Sequence, residues 1–291
     1  MNLSSLALVI AFSFLSIRVA GGAEPSDCAT QLKDGSPSSL KGSEITAACQ
    51  VLTQSLPRCK SVNGSTIFHS EFEPSQKEAH PAAQKILVFA LTHGDEPEST
   101  QVAVRWINRL NELARQGKIR NHWRIIPVLN PDGAKARTRT NARGVDINRN
   151  FPTHDWSALA LQYWKKNAQS NPRRYPGASP SSEPETLCTL DQIENFGPDL
   201  IVSIHAPYGL VDFDGPLEAF RQFFPKVPRH PSRQLGSFPG SLGRYLWQDR
   251  SFPIVTLELN PGRDPLKMSE IEKLQDDLGT FSRKMSQLRK K

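Results

Sequence analysis

The sequence predicts an α/β fold, with a mixed, largely parallel central sheet flanked by helices. Three observations carry this. Four short apolar runs read as buried strands: "KILVFAL" (residues 85–91), "HWRIIPVLN" (122–130), "DLIVSIH" (199–205) and "FPIVTLEL" (252–259). Segments of helical period alternate with them, as parallel sheets require. The 291 residues, 37% hydrophobic and 22% charged, are enough for one substantial core.

In chain order, residues 6–15 ("LALVIAFSFL") form an apolar run too short to span a bilayer at about 20 residues. The small residues "VAGGA" follow, the layout of a secretory signal peptide over 1–23 cleaved near Ala23. The start "MNLSS" lacks the usual Lys or Arg, and an uncleaved anchor is the alternative. Residues 24–57 read as a polar extension with one helical candidate, "SEITAACQVLTQSL" (43–56), and residues 58–291 as the main domain. Asn63-Gly64 between two extended runs signals a hairpin. Residues 97–117 are helical, with Val102, Trp106, Leu110 and Leu113 on one face, Pro97 in the first turn and Gly117 at the end. After the second strand, "PDGAKARTRTNARGVDINRNFP" is a long polar loop, of the kind that is usually functional or disordered. A capping-box pattern, Ser182 to Glu185, opens the next helix. "GSLGRYLWQDR" reads as a helix and residues 264–288 as a long amphipathic one.

The formal charge of +7 is spread along the chain apart from the tail "RKK". Without a basic stripe or a nucleic-acid motif, it indicates a bias toward anionic substrates and no nucleic-acid partner. Cys28, Cys49, Cys59 and Cys188 all follow the cleavage point, and an even number in an exported chain suggests two disulfides. Three connectivities are possible; proximity along the chain suggests Cys49–Cys59 with Cys28–Cys188. None has CxxC spacing, which argues against a cysteine zinc site.

Three strands end in residues able to do chemistry: His93, His205 and Glu258. A lone histidine at a strand end is more often a hydrogen-bonded structural residue. Three such residues at the carboxyl edge of one sheet, where α/β proteins bind ligands, point to a site. With Glu96 three residues after His93, two imidazoles and a carboxylate can meet on one metal. That set, with an open fourth position, suits hydrolytic zinc.

These residues make the chain resemble the M14 zinc metallocarboxypeptidases. The first two ligands of that family lie in an HxxE motif and the third follows a strand. "NARGVDINRNFP", "YPGASPSSEPET", "VTLEL" and "SVNGSTI" resemble further family segments, in family order, from about Arg58 to the C-terminal helix. The resemblance implies a carboxypeptidase-type catalytic domain over 58–291, with one zinc ion per chain on His93, Glu96 and His205. It implies Glu258 as the general base toward metal-activated water. Arg139 is implied as the oxyanion stabiliser, with Arg137 and Arg143 as neighbours that could take its place. Asn148 and Arg149 are implied as the clamp on the substrate's free carboxylate.

"HAPYGLVDFDGP" (205–216) is most similar to the bacterial murein peptide amidase branch, which cleaves the γ-D-glutamyl–diaminopimelate bond of peptidoglycan stem peptides. Such a substrate implies an exported, periplasmic or secreted, enzyme with no transmembrane span in its mature chain. Asp212 and Asp214 either face the distal ammonium of diaminopimelate or form a solvated turn. The family's cleft tyrosine has no counterpart in "RQLGSFPGSLGRY"; Leu235 or Phe238 falls near its place, and Tyr208 is the candidate substitute. Basic-selective members carry an acid near the position of Leu242, so a C-terminal Lys or Arg preference is not implied. Other readings are a carboxypeptidase on ordinary peptides, an aspartoacylase-type deacylase and a non-catalytic peptide-binding module.

Overall fold

The computed structural model describes residues 25–75, 83–233, 235–260 and 266–288. The apolar leader, its cleavage point and the "RKK" tail lie outside the described residues. No helix among the described residues is long and apolar enough to cross a membrane.

The elements run α1 (Pro25–Asp34), α2 (Gly42–Cys49), β1 (Ser70–Phe72), β2 (Lys85–Ala90), α3 (Pro97–Arg115), β3 (His122–Ile126), α4 (Pro131–Ala136), α5 (Trp156–Lys166), α6 (Pro184–Phe196), β4 (Leu200–His205), β5 (Leu210–Asp214), α7 (Leu217–Phe223), β6 (Ile254–Glu258) and α8 (Met268–Leu288). The six strands form one sheet in the order β1-β3-β2-β4-β6-β5. The four inner strands are mutually parallel, and β1 and β5 close the edges antiparallel. The chain leaves β2 for β3 on one side and returns to β4 on the other. The carboxyl ends of β2 and β4 therefore flank the point where connections diverge, which is where such sheets open a crevice.

Both faces of the sheet are covered, which is why its inner strands are apolar without alternation. Ile86, Val88, Val202, Ile204, Val255 and Leu257 face a core shared with α1, α2, α3 and α8. Leu87, Phe89, Ile201 and Ile254 face a second core with α6, Phe151, Tyr245 and Leu246. The Trp106 indole of α3 donates to the Ile271 carbonyl of α8 at 2.8 Å, locking two long helices on one side.

Several expectations are corrected. The disulfides are Cys28–Cys49 and Cys59–Cys188, with Cα separations of 5.8 and 4.6 Å. The proximity guess fails because α1 and α2 pack as a helical hairpin that brings Cys28 to Cys49. The chain then turns away and carries Cys59 under α6. The Asn63-Gly64 turn forms with Gly64 at φ +85°, but only one bridge, Lys60 with Thr66, flanks it. It is held instead by Asp132, which accepts from the Ser61 hydroxyl and the Asn63 N–H, each at 2.9 Å. The Ser182–Glu185 capping box is absent: Glu183 is the N-cap, and Glu185 accepts from the Val62 N–H and from Asn141. Residues 131–152 are not a structureless loop. They contain α4, capped by Asn130, and a short 3-10 turn at Ile147–Arg149. The "GSLGRYLWQDR" segment includes a π-helix at Arg244–Gln248. The helix of residues 43–56 stops at Cys49, and β5, α1, α5 and α7 were not read from the sequence.

The cross-links differ in the chain they enclose. Separations of 129 and 21 residues correspond to roughly 5 and 3 kcal/mol of loop-closure entropy. Non-reducing peptide mapping is expected to recover Cys28–Cys49 and Cys59–Cys188. Replacing Cys59 and Cys188 together by Ala should lower Tm more than replacing Cys28 and Cys49.

Candidate active site

The end of β2 feeds a tight turn into α3. Gly94 is required there because a Cβ would lie 1.9 Å from the Gly133 carbonyl carbon of α4. Ser99 ties the turn together, donating to the Glu96 carbonyl at 2.7 Å and accepting from the Leu91 N–H at 2.9 Å. Glu96 caps α3 and Pro97 starts it, so the side chains of His93 and Glu96 emerge at the crevice. β4 delivers His205 and β6 delivers Glu258, paired in register across the parallel ladder.

His93, Glu96 and His205 are all buried, with donor atoms within 4.8 Å of one another. Glu96 Oε1 lies 2.7 Å from His93 Nδ1, Glu96 Oε2 lies 2.9 Å from His205 Nδ1, and the two Nδ1 atoms are 3.2 Å apart. Their outer nitrogens are taken: His93 Nε2 meets Asp146 Oδ1 at 3.2 Å, and His205 Nε2 meets the Ser203 hydroxyl at 3.0 Å. This fits a zinc site. Two imidazoles turn their free nitrogens toward one carboxylate, with oriented partners behind each ring. Burial opposes the charge on Glu96, but His93 and His205 hold its carboxyl well below the usual range. Burial likewise opposes protonation of His93, yet Glu96 and Asp146 raise it.

Asp146, fully buried, connects this set to the rest of the cleft. Its carboxylate also accepts from Arg139 Nε at 3.0 Å and from the Asn148 N–H at 3.0 Å. Burial opposes its ionisation, but Arg139 and His93 keep it far below the ordinary aspartate range. Arg139 Nη1 reaches within 3.4 Å of Glu96 Oε1. Of the three neighbouring arginines, Arg139 is the one at the triad: Arg137 ends α4 in a left-handed conformation and Arg143 pairs with Glu183. Arg149 is pushed down by burial, with Arg139 and Arg174 adding repulsion. Its guanidinium lies 4.5 Å from the centre of the Phe238 ring. Asn148 Oδ1 accepts from the Leu242 N–H at 2.8 Å, and Gly240 is required because a Cβ would lie 1.8 Å from the Arg149 carbonyl. Residues 235–243 are thus pressed onto the "NRN" segment.

Glu258 is raised by burial, and its Oε2 has no hydrogen-bond partner. Asp212 and Asp214 lie on β5, on the same side of the sheet as Glu258 and Thr256. They are strand residues and not a solvated turn. Burial, with Asp214 beside it, pushes Asp212 up to about 7, and burial also raises Asp214. Asp212 Oδ1 is buried without a partner. A side chain at Gly243 would press on the Asp214 carboxylate, so that glycine keeps the recess open. Tyr208 stands 62% exposed at the mouth, and its backbone N–H reaches Glu258. Leu235 and Phe238 also line the cleft, whereas Leu242 belongs to the second core.

All ten residues singled out from the sequence border one cleft of about 380 Å³ or, for the metal set, its floor. Those the sequence reading missed are Asp146, Ser203, Arg173 and Arg174. Asp146 sits inside the quoted "GVDINRN" segment; the others carry no local signal. A second cavity, of about 410 Å³, lies between α3 and α8 and brings together no metal-ligating set among the described residues.

Comparison with known proteins bears on the family. Murein peptide amidase A of Escherichia coli K12 is 32% identical over 180 residues, covering 60% of this chain and 62% of that protein. The Vibrio campbellii protein of the same name is 30% identical over 206 residues, covering 69% and 77%. The crystal structure of murein-tripeptide amidase from E. coli O157 superposes with a TM-score of 0.51 at 23% identity, covering 80% of this chain and 95% of that one. The zinc carboxypeptidase family model matches residues 43–211, more than half of the chain. With that match and the Vibrio relative, the chain belongs to the zinc carboxypeptidase (Peptidase_M14) family.

Proposed function

We propose that the protein hydrolyses the γ-D-glutamyl–diaminopimelate amide bond of peptidoglycan stem peptides. The observation that carries this is the pair Asp212 and Asp214, two carboxylates on the cleft wall with no cationic partner among the described residues. Burying such groups unpaired is costly, so a ligand cation is the partner they suit. Asn148 and Arg149 lie across the same cleft. A leaving residue that offers both a free carboxylate and a distal ammonium satisfies both walls, and diaminopimelate does so. The similarity to proteins named murein peptide amidase supports the same substrate. Two disulfides suit an exported protein, and we place it in the periplasm or outside the cell.

His93, Glu96 and His205 would hold one zinc ion. When bound, zinc acts as a Lewis acid that polarises a carbonyl and acidifies water. The chain's own groups do the rest. Asn148 and Arg149 bind the terminal carboxylate, the guanidinium fork matching it bidentately. Glu258, raised by burial and unpartnered at Oε2, is suited to take a proton from the attacking water and deliver it to the departing amine. Arg139, held by Asp146 beside the triad, stabilises the negative charge that develops on the carbonyl oxygen. Asp212 and Asp214 fix the leaving side chain. Tyr208 at the mouth covers the acyl portion.

Three outcomes are expected. Elemental analysis should find one zinc per chain, lost in His93→Ala and His205→Ala, with chelation abolishing activity and zinc restoring it. Glu258→Gln should lower kcat by about 10³-fold with KM little changed, the pattern of a lost proton-transfer group. Asp212→Asn should raise KM for the diaminopimelate peptide about tenfold or more while stabilising the free protein. The sign follows from linkage. A carboxyl whose folded-state pKa is raised to about 7 costs the native state stability once it ionises. That cost is absent below the ordinary aspartate range and complete above pH 7. Calorimetry at pH 8 should therefore give Asp212→Asn a Tm higher by roughly 2–4 °C, about 1 kcal/mol for a chain of this size.

A further inference from the structure

The cleft is lined by four arginines, and the proposed mechanism uses only two of them. Arg139 is committed to Asp146 and Glu96, and half-buried Arg149 lies against Phe238 beside Asn148. Arg173 and Arg174 remain. They stand at the exposed rim, on the 3-10 turn Pro172–Arg174.

That turn is firmly placed. Asn171 caps it, its Oδ1 accepting from the Arg173 N–H at 2.9 Å, and the Trp164 indole of α5 donates to the Asn171 carbonyl at 2.8 Å. Trp164 also packs edge-on against Tyr175, centroids 4.9 Å apart, on the far side of the turn. The two guanidiniums therefore project from a fixed base.

Their charge is poorly compensated. Arg173 pairs with Asp95 at 2.6 Å, but its side chain is 56% exposed, and an ion pair that open to water is weak and readily shared with a ligand. Arg174 has no acidic partner among the described residues. It is close enough to Arg149 to help depress it, which places its charge in the same field.

The position of the pair indicates what it meets. The inner groups of the cleft, half-buried Arg149 and buried Asp212, hold the terminal residue. The rest of the substrate leaves past the triad and over the rim, and Arg173 is tied there to Asp95, the residue before Glu96. An anion at the rim therefore belongs to the acyl side of the scissile bond. In a γ-linked glutamyl residue the α-carboxylate is free and stands a few atoms from the scissile carbonyl. An α-linked residue places its continuing main chain there instead.

We propose that Arg173 and Arg174 form a second carboxylate subsite, which binds the free α-carboxylate of a γ-linked acyl residue and so selects γ-glutamyl over ordinary α-peptide bonds. This deepens the proposed function and rests on it. The subsite recognises a planar anion by paired guanidinium donors and takes no part in the bond-breaking step.

The test uses the full-length, zinc-loaded protein and two synthetic peptides, L-Ala-γ-D-Glu-diaminopimelate and the same peptide with the glutamyl α-carboxylate converted to a carboxamide. The wild-type protein is expected to prefer the carboxylate peptide by about 10- to 100-fold in kcat/KM, the range for charge-assisted hydrogen bonds. Joint replacement, Arg173→Ala with Arg174→Ala, should collapse that ratio toward one, chiefly by loss on the carboxylate peptide. Arg174→Glu should lower it further. Arg221→Ala, a surface change on α7, should leave the ratio unchanged and control for general charge. Equal cleavage of the two peptides by wild type, or an undiminished ratio in the double variant, would overturn the subsite while leaving the proposed reaction standing. Cleavage of neither peptide would overturn the reaction and the subsite together.

Discussion

One buried carboxylate holds the site in register. Asp146 binds His93 through one oxygen, Arg139 through the other, and caps the turn that carries Asn148 and Arg149. These groups come from different parts of the chain: the turn after β2, the segment after α4 and the "NRN" turn itself. A charge buried this completely is tolerated only when it is fully paired, and here every partner belongs to a residue that lines the cleft. Losing it would remove the partner of His93 Nε2 and of Arg139 Nε, leaving each held by Glu96 alone among the carboxylates.

Around that anchor the cleft is divided by charge. Arginines line one wall, from half-buried Arg149 to exposed Arg174; Asp212, Asp214 and Glu258 line the other. No ion pair joins the two walls among the described residues, and burial raises the acids on β5 and β6. Such an arrangement is unfavourable in the free protein and becomes favourable when a ligand brings complementary charges. On the proposed function, stability given up at Asp212 is coupled to selectivity, as is common where function needs strained or desolvated groups.

The parts legible in the sequence were those written in local pattern. Buried parallel strands show as unbroken apolar runs, and all four inner strands were read that way; the polar residues at three of their ends led to the triad and Glu258. Short β1 and edge strand β5 were less visible. In β5, Asp212 and Asp214 interrupt the apolar pattern and resemble a turn, because the face they occupy lines a cleft and not a core. Other features depend on distant segments meeting. The Cys59–Cys188 pairing needs the position of α6, and the capture of Glu185 by Val62 and Asn141 displaces the capping box. Arg173 and Arg174 look like ordinary surface residues until the turn after α5 places them at the rim.

The central claim is that a carboxylate clamp and an acidic recess together select a terminal diaminopimelate. Mass spectrometry of the products from purified muropeptides, with tri-, tetra- and pentapeptide stems incubated side by side, tests it most directly. The account predicts loss of one diaminopimelate from the tripeptide alone, because only there does its carboxylate end the chain. Release of terminal D-Ala from the longer stems, with the tripeptide left intact, would contradict it.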